Sequence, residues 1–382
     1  MAHIFHRRPP RAVGMIAEAS GLLGAIFLCG ALEQWSPARS VASPAPSALI
    51  VTLRDIVERD GAPGVTAMVF HKGRLLYRAD VGDIKPGAQF PVASASKWMA
   101  AALLMTLVDD GELSLDEPIG RRLAEFEGRS GAITLRQLLS FTSGQGSLRG
   151  LFDITQEARM SLSESAKRIA ARPLEDPPGA VFKYGGPSLQ VAGALAERAT
   201  GKSWAALFRE KLAEPLGLTD TYWTNVLEPN VDPALVANPN LQAGLVTTAA
   251  DYAKFLTMIA ENGFYGGRQI LSRTAVETLE KAQTLKASFG YLPPGVPNKV
   301  HYALGNWCET VATDGACTLV SSPGAYGTYP WIDRKSGLYG VFFMHYRLPL
   351  VANRLREARR VILDSYDPFS TSEADRASDD EE

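Results

Sequence analysis

The sequence predicts an α+β fold: one antiparallel sheet built from both chain ends, flanked by helices, with a helical region inserted between. Three observations lead there. Short β-rich runs joined by a turn signal come early, at residues 65–70 and 75–81. The middle of the chain, from Leu113 to Ala205 and again to Ala282, carries mostly helical periodicity. After His301 the pattern returns to strands, and an amphipathic helix closes the domain.

In order, residues 48–58 have helical spacing and stop near Asp60-Gly61. The runs 65–70 and 75–81 are joined by His71-Lys72-Gly73-Arg74, a hairpin sequence. Then comes Pro91-Val92-Ala93-Ser94-Ala95-Ser96-Lys97-Trp98 and the apolar run 99–108, a buried helix closed by Asp109-Asp110-Gly111. Helical patterns recur at 135–139, 161–171, 188–199 (ahead of Gly201), 249–260 and 273–282. Strands are expected at 302–310, 317–321, 329–333 and 337–346, and the closing helix at 350–364. No internal repeat is visible.

At 382 residues the chain can bury a large core, and 46% hydrophobic with 21% charged residues describes an ordinary globular protein. A net charge of −2 gives no reason to expect nucleic acid or an anionic membrane as partner. Residues 1–46 read as a leader and linker. Arg7, Arg8 and Arg11 precede the apolar segment 21–32, and a Pro/Ala/Ser-rich stretch follows, in the order of an export signal. Ser40 and Ala42 suit the small positions before a cleavage point, and Arg7-Arg8 permits a twin-arginine route. The rival is an uncleaved inner-membrane anchor, since residues 13–32 are nearly long enough to span; Glu18 argues against it. The expected location is therefore periplasmic or secreted, with membrane attachment only if this segment is retained. Residues 47–368 form the folded domain, and 369–382 an acidic tail expected to be disordered.

Removal of the leader leaves Cys308 and Cys317, in a compartment that tolerates disulfides. They flank Thr313-Asp314-Gly315, a hairpin turn signal. A tight Asp314-Gly315 turn sets Cys308 across from Ser321, so a bridge needs a looser loop centred nearer Ala312–Thr313. Bridged and free thiols both stay open.

Ser94 and Lys97 carry the clearest chemistry. Residues three apart on a helix share a face, and a lysine in an apolar setting can have its pKa lowered enough to deprotonate a serine. The helix N-terminus adds N–H groups suited to an oxyanion. The bland reading is a surface serine and lysine on a core helix. Tyr184, in Pro177-Pro178-Gly179-Ala180-Val181-Phe182-Lys183-Tyr184-Gly185-Gly186-Pro187-Ser188, is a second acid/base candidate against a packed aromatic on a turn. The third stretch is Ser321-Ser322-Pro323-Gly324-Ala325-Tyr326-Gly327. Read as an edge strand beside Ser94, it lends the N–H of Ala325, with that of Ser94, to an oxyanion hole; the other reading is a plain turn before a strand.

Other signals are weak. No His-Glu-x-x-His or Cys-x-x-Cys occurs, so no metal or other cofactor is called for. Gly144-Gln145-Gly146 with Arg149 is only a near miss to a dinucleotide fingerprint. A Ser-His-Asp hydrolase would have to draw on His345 at a strand end.

Taken together and in this order, the stretches resemble the serine β-lactamase and penicillin-binding-protein family, nearest its class C β-lactamase, D-alanyl carboxypeptidase and esterase branch. Ser94-Ala95-Ser96-Lys97 matches its Ser-x-x-Lys. Leu138-Leu139-Ser140-Phe141-Thr142-Ser143-Gly144 looks like its Leu-Leu-x-His-Thr-Ser-Gly, with Phe141 in place of histidine. Tyr184 falls at the tyrosine of Tyr-x-Asn, and residues 244–251 and 302–307 have the family's look. The resemblance implies a β-lactamase/transpeptidase-like fold, catalysis by Ser94, Lys97 and Tyr184, an oxyanion hole at Ser94 and Ala325, and substrate contacts at Gln145, Gly186, Ser322, Pro323 and Gly324. Two departures stand out. Gly186 replaces the asparagine, and Ser322-Pro323-Gly324 replaces Lys-Thr-Gly or His-Thr-Gly, deleting the cation that holds a substrate carboxylate. Arg347 or Arg354 is a candidate replacement. The expectation is an exported serine hydrolase that acylates Ser94 with a small-molecule or peptide substrate, an ester or amide rather than a β-lactam. The alternative is a non-catalytic protein of the same fold that binds cell-wall peptide or another ligand.

Overall fold

The structure, a computed structural model, describes residues 45–146, 157–297 and 300–366. The acidic tail and nearly all of the leader lie outside these residues.

Two hydrophobic clusters meet at a seven-stranded antiparallel sheet. In spatial order its strands are His301–Tyr302, Trp307–Val311, Cys317–Ser321, Tyr329–Asp333, Leu338–Phe343, Gly64–His71 and Arg74–Gly82. The N-terminal hairpin joins the last strand, with Thr66 opposite Phe343 and Phe70 opposite Tyr339, so both chain ends build one sheet. Side chains alternate across it. Val65, Ala67, Val69 and Phe342 face the first helix, Ser47–Glu58, and the last, Leu348–Ser365. Met68, Phe70, Val341 and Phe343 face the helical region. Burial on both faces explains why these two strands read as unbroken apolar runs.

The helix Ser96–Asp109 is buried from Ser96 through Leu107. A helix apolar on every side belongs inside the protein, and that is why its run shows no amphipathic period. Elsewhere the period holds: Ser188–Thr200 ends at Gly201, in a left-handed cap (φ 69°), and Ala249–Ala260 begins on Thr248, whose hydroxyl accepts the Asp251 N–H at 3.1 Å.

Four expectations need correction. The strand expected at 302–310 breaks, and His301–Tyr302 folds back on Trp307–Val311. Gly305 turns this corner at φ 77° against the helix Ser96–Asp109, where a Cβ would lie 2.6 Å from the Lys97 carbonyl oxygen. Second, the sheet has companions: Gln89–Pro91 pairs with Leu245–Thr248 and through it with Tyr222–Trp223, and Val181–Lys183 runs parallel to Ser288–Tyr291. Runs of two to four residues are too short to carry a period. Third, the segment 321–327 is no edge strand. It leaves the inner strand Cys317–Ser321, turns at Ala325–Gly327 and enters another inner strand, so Pro323 lies outside the ladder. Last, Cys308 and Cys317 are bonded, with Cα atoms 5.2 Å apart. The loop is not centred on Ala312–Thr313: Val311 pairs with Cys317 and Cys308 with Val320, and the register shifts on both sides of Thr310. An irregular ladder, invisible to counting from the turn, accompanies the bridge.

Candidate active site

Ser94 sits on a short 3₁₀ turn, Ala93–Ala95, just ahead of the helix rather than within it. Ala93 takes φ 46°, a left-handed conformation costly for a non-glycine residue, and the surroundings hold it there. The Ser96 hydroxyl donates to Ala93 O at 2.6 Å and accepts the Leu245 N–H at 3.0 Å. Tyr252 OH donates to Ala95 O at 2.7 Å, and Ser322 Oγ to Ser94 O at 3.4 Å. The turn is thus pinned by the strand Leu245–Thr248, the helix Ala249–Ala260 and the Ser322–Gly324 segment.

Lys97, 1% exposed, donates from Nζ to Ser94 Oγ at 2.9 Å and to the Gln242 carbonyl at 2.9 Å. Burial lowers its pKa to about 7, and no acidic side chain pairs with it among the described residues. Its Nζ also stands 4.8 Å from the Tyr184 ring centroid.

Tyr184 follows the strand Val181–Lys183, and its N–H donates to Tyr291 O at 3.1 Å. The phenol is buried, which pushes its pKa far up, while hydrogen bonds to the Ser94 and Trp307 side chains pull it partly back. The Trp307 ring stacks on it at 4.8 Å, with Phe141 edge-on at 5.4 Å. Phe141, where the resemblance led one to look for histidine, therefore walls the tyrosine and carries no proton. Lys97 Nζ thus joins Ser94 Oγ by a hydrogen bond and stands over the Tyr184 ring, in a setting where the amine can be neutral near pH 7 and the phenol keeps its proton.

Gly324 packs onto the turn so closely that a Cβ would lie 2.0 Å from Val92 O. The next amide, that of Ala325, has no acceptor among the described residues, while the Ala325 carbonyl accepts the Leu348 N–H at 2.9 Å. Arg347, exposed, adjoins that bond. Gly186 lies two residues past Tyr184 at φ 82°. Gln145 belongs to a neighbouring cluster in which Ser143 Oγ meets Ser188 Oγ at 2.9 Å and Gln145 Oε1 at 3.3 Å.

Two candidates are placed elsewhere. Arg354 pairs with Asp60 at 2.6 Å and Asp55 at 3.3 Å, tying the terminal helices together, so it is no replacement cation. His345 is exposed between Phe90 (5.5 Å, stacked) and Tyr326 (5.2 Å, edge-on), with no hydrogen bond to Ser94 among the described residues. Sequence reasoning missed Gln242, which holds Lys97, and the role of Trp307 against Tyr184. Gln242 stands two residues before a recognised stretch and has no spacing signal of its own. No group of three or more His, Cys, Asp or Glu among the described residues could hold a metal ion.

Known proteins resemble this chain in sequence and in fold. Esterase EstB of Burkholderia gladioli is 33% identical over 41% of this chain, a match that spans 46% of the esterase. The D-alanyl-D-alanine-carboxypeptidase/endopeptidase AmpH of Escherichia coli K12 is 26% identical over 78% of this chain and 84% of its own. A solved β-lactamase-type structure from Bacteroides dorei superposes with a TM-score of 0.70 at 31% identity, over 81% of this chain and 97% of that one. The beta-lactamase family model matches residues 51–364. By that match, and with a β-lactamase/transpeptidase-like sheet and helices around it, the chain belongs to the β-lactamase family of serine hydrolases.

Proposed function

We propose that this is an exported serine hydrolase that acylates Ser94 with a small carboxylic ester or neutral amide, in preference to a β-lactam. The observation that carries the reading is the 2.9 Å bond from Lys97 Nζ to Ser94 Oγ, made by an amine that burial has brought to about 7. Above that pH the neutral amine takes the Oγ proton as Oγ attacks the carbonyl carbon. The N–H groups of Ser94 and Ala325 meet the oxyanion. Tyr184, protonated, gives its proton to the leaving alkoxide or amine and is reprotonated from the Lys97 ammonium. Water then enters by the same steps in reverse and releases the acid.

The substrate class follows from what the groove lacks. No side chain at Gly186 can grip an acylamino group, and at the Ser322–Gly324 segment no cation can hold a carboxylate. Ser322 turns its hydroxyl to Ser94 O instead. Arg347, beside the Ala325 turn, is the remaining candidate cation. Export is supported by the charged, apolar, small-residue order of the N-terminus and by the Cys308–Cys317 disulfide. Among the described residues no helix is long and apolar enough to cross a membrane.

The test offers purified protein a short-chain nitrophenyl ester and a chromogenic cephalosporin side by side, with Ser94→Ala as control. Ester turnover should exceed cephalosporin turnover and vanish in the variant. Equal or faster cephalosporin hydrolysis overturns the preference.

A further inference from the structure

Gln242 links Lys97 to the turn that follows Tyr184. Its carbonyl accepts a bond from Lys97 Nζ at 2.9 Å, and its Nε2 donates to the carbonyl of Gly186, two residues past Tyr184. Its own N–H donates to Asn240 Oδ1 at 3.2 Å, and the residue is 2% exposed. The remaining atom, Oε1, is buried and has no hydrogen-bond partner among the described residues. An amide oxygen left unpaired in the interior is costly, and a folded protein seldom keeps one without use for it. The amide cannot be turned over to relieve it, because Oε1 would then oppose the Gly186 carbonyl oxygen.

The neighbouring backbone explains why a glutamine is needed. Gly186 has no side chain, so no amide reaches the lysine from that side. Lys97 carries three N–H bonds when protonated, and Ser94 Oγ and Gln242 O account for two. The geometry points to Gln242 as a positioning residue that supplies, from the opposite wall, the side-chain amide missing at Gly186: Nε2 clamps the Tyr184-Gly185-Gly186 turn, and Oε1 is the acceptor held for the third N–H of Lys97 after it takes the Ser94 proton. The inference rests on the reading that Ser94 is acylated. In the step concerned, the Ser94 O–H breaks, its proton passes to the Lys97 lone pair, and Oγ bonds to the acyl carbon. Tyr184 is the titratable group facing Lys97 across this space.

The experiment follows Ser94 acylation by a fluorophosphonate, and ester turnover, against pH in Gln242→Met and Gln242→Glu. Methionine keeps length and shape but removes the acceptor, so the ammonium is less supported. The rising limb should move to lower pH, with acylation slowed on the order of 10²-fold. Glutamate places a charge there, so the limb should move to higher pH. Adding Gly186→Asn to Gln242→Met, at a φ that asparagine tolerates, should return the limb toward that of the parent. Limbs that coincide with the parent or move the same way in both variants overturn the role, as does an asparagine that leaves the limb displaced. A parent protein that takes no label on Ser94 is a different result and overturns the acyl-enzyme reading instead.

Discussion

Gly324 lies against the carbonyl of Val92, close enough that a Cβ would sit 2.0 Å from its oxygen and 3.3 Å from the Ala95 N–H. The glycine is needed for proximity, since its φ is not in the left-handed region. Gly324→Ala should therefore push the Ala325 amide away from Ser94. The expected outcome is a loss of about 1–3 kcal/mol of stability, with kcat falling more than KM rises. Thermal melts and ester kinetics check both, and unchanged kinetics would remove Ala325 from the oxyanion hole.

In the proposed mechanism Lys97 sets the pH dependence. Its folded pKa, about 7, lies below the ordinary 10.5, so the rate should climb as pH rises through about 7. The same shift costs stability. Between about 7 and 10.5 the unfolded chain binds the extra proton, so stability contributed by this group rises with pH across that window and is at its lowest below 7. Lys97→Met should abolish turnover yet raise the melting temperature at pH 6, with the gain shrinking by pH 9. A variant less stable at pH 6 would contradict the burial argument.

On the strand that carries Trp307, Glu309 is held by Arg359 at 2.6 and 2.9 Å, by Tyr329 OH at 3.1 Å and by Ser321 Oγ. Desolvation is the largest single influence and pushes the carboxyl up, but the hydrogen bonds and charge of Arg359, with the bonds from Ser321 and Tyr329, together outweigh it and keep the carboxyl below its usual range. Its stabilising contribution is present above the unfolded pKa near 4.5 and is lost as pH falls through the lower folded value. Arg359→Met should cost about 3–5 kcal/mol by stranding the carboxylate, and Arg359→Met with Glu309→Leu should cost less. Urea titration of both variants decides; equal losses would mean that the charge is not the cause.

The disulfide should leave the unreduced protein without free thiols among Cys308 and Cys317. Reduction should expose two and lower stability by about 2–4 kcal/mol. Thiol titration before and after reductant, followed by a melt, measures both.

Much of the scaffold was legible because it is written in local periods. The hairpin 65–81, the buried helix Ser96–Asp109 and the helix Ala249–Ala260 each repeat a pattern long enough to read. Ser94 and Lys97 were legible for the same reason, since one turn of backbone places them together. The short strands at Gln89–Pro91 and Tyr222–Trp223 were not, because a run of two or three residues has no period, and the corner at Gly305 is dictated by the helix it packs against.

By itself the sequence determined that a serine and a lysine would share a helical turn, and that strands from the two chain ends would flank a helical centre. Only the tertiary structure decided that the lysine loses its water, that Trp307 closes over Tyr184, that Arg354 is spent on Asp55 and Asp60, and that Gln242 bridges Lys97 to Gly186. The physical reason is range. Backbone geometry fixes neighbours within a turn, whereas desolvation and side-chain partners depend on which distant segments the core brings together.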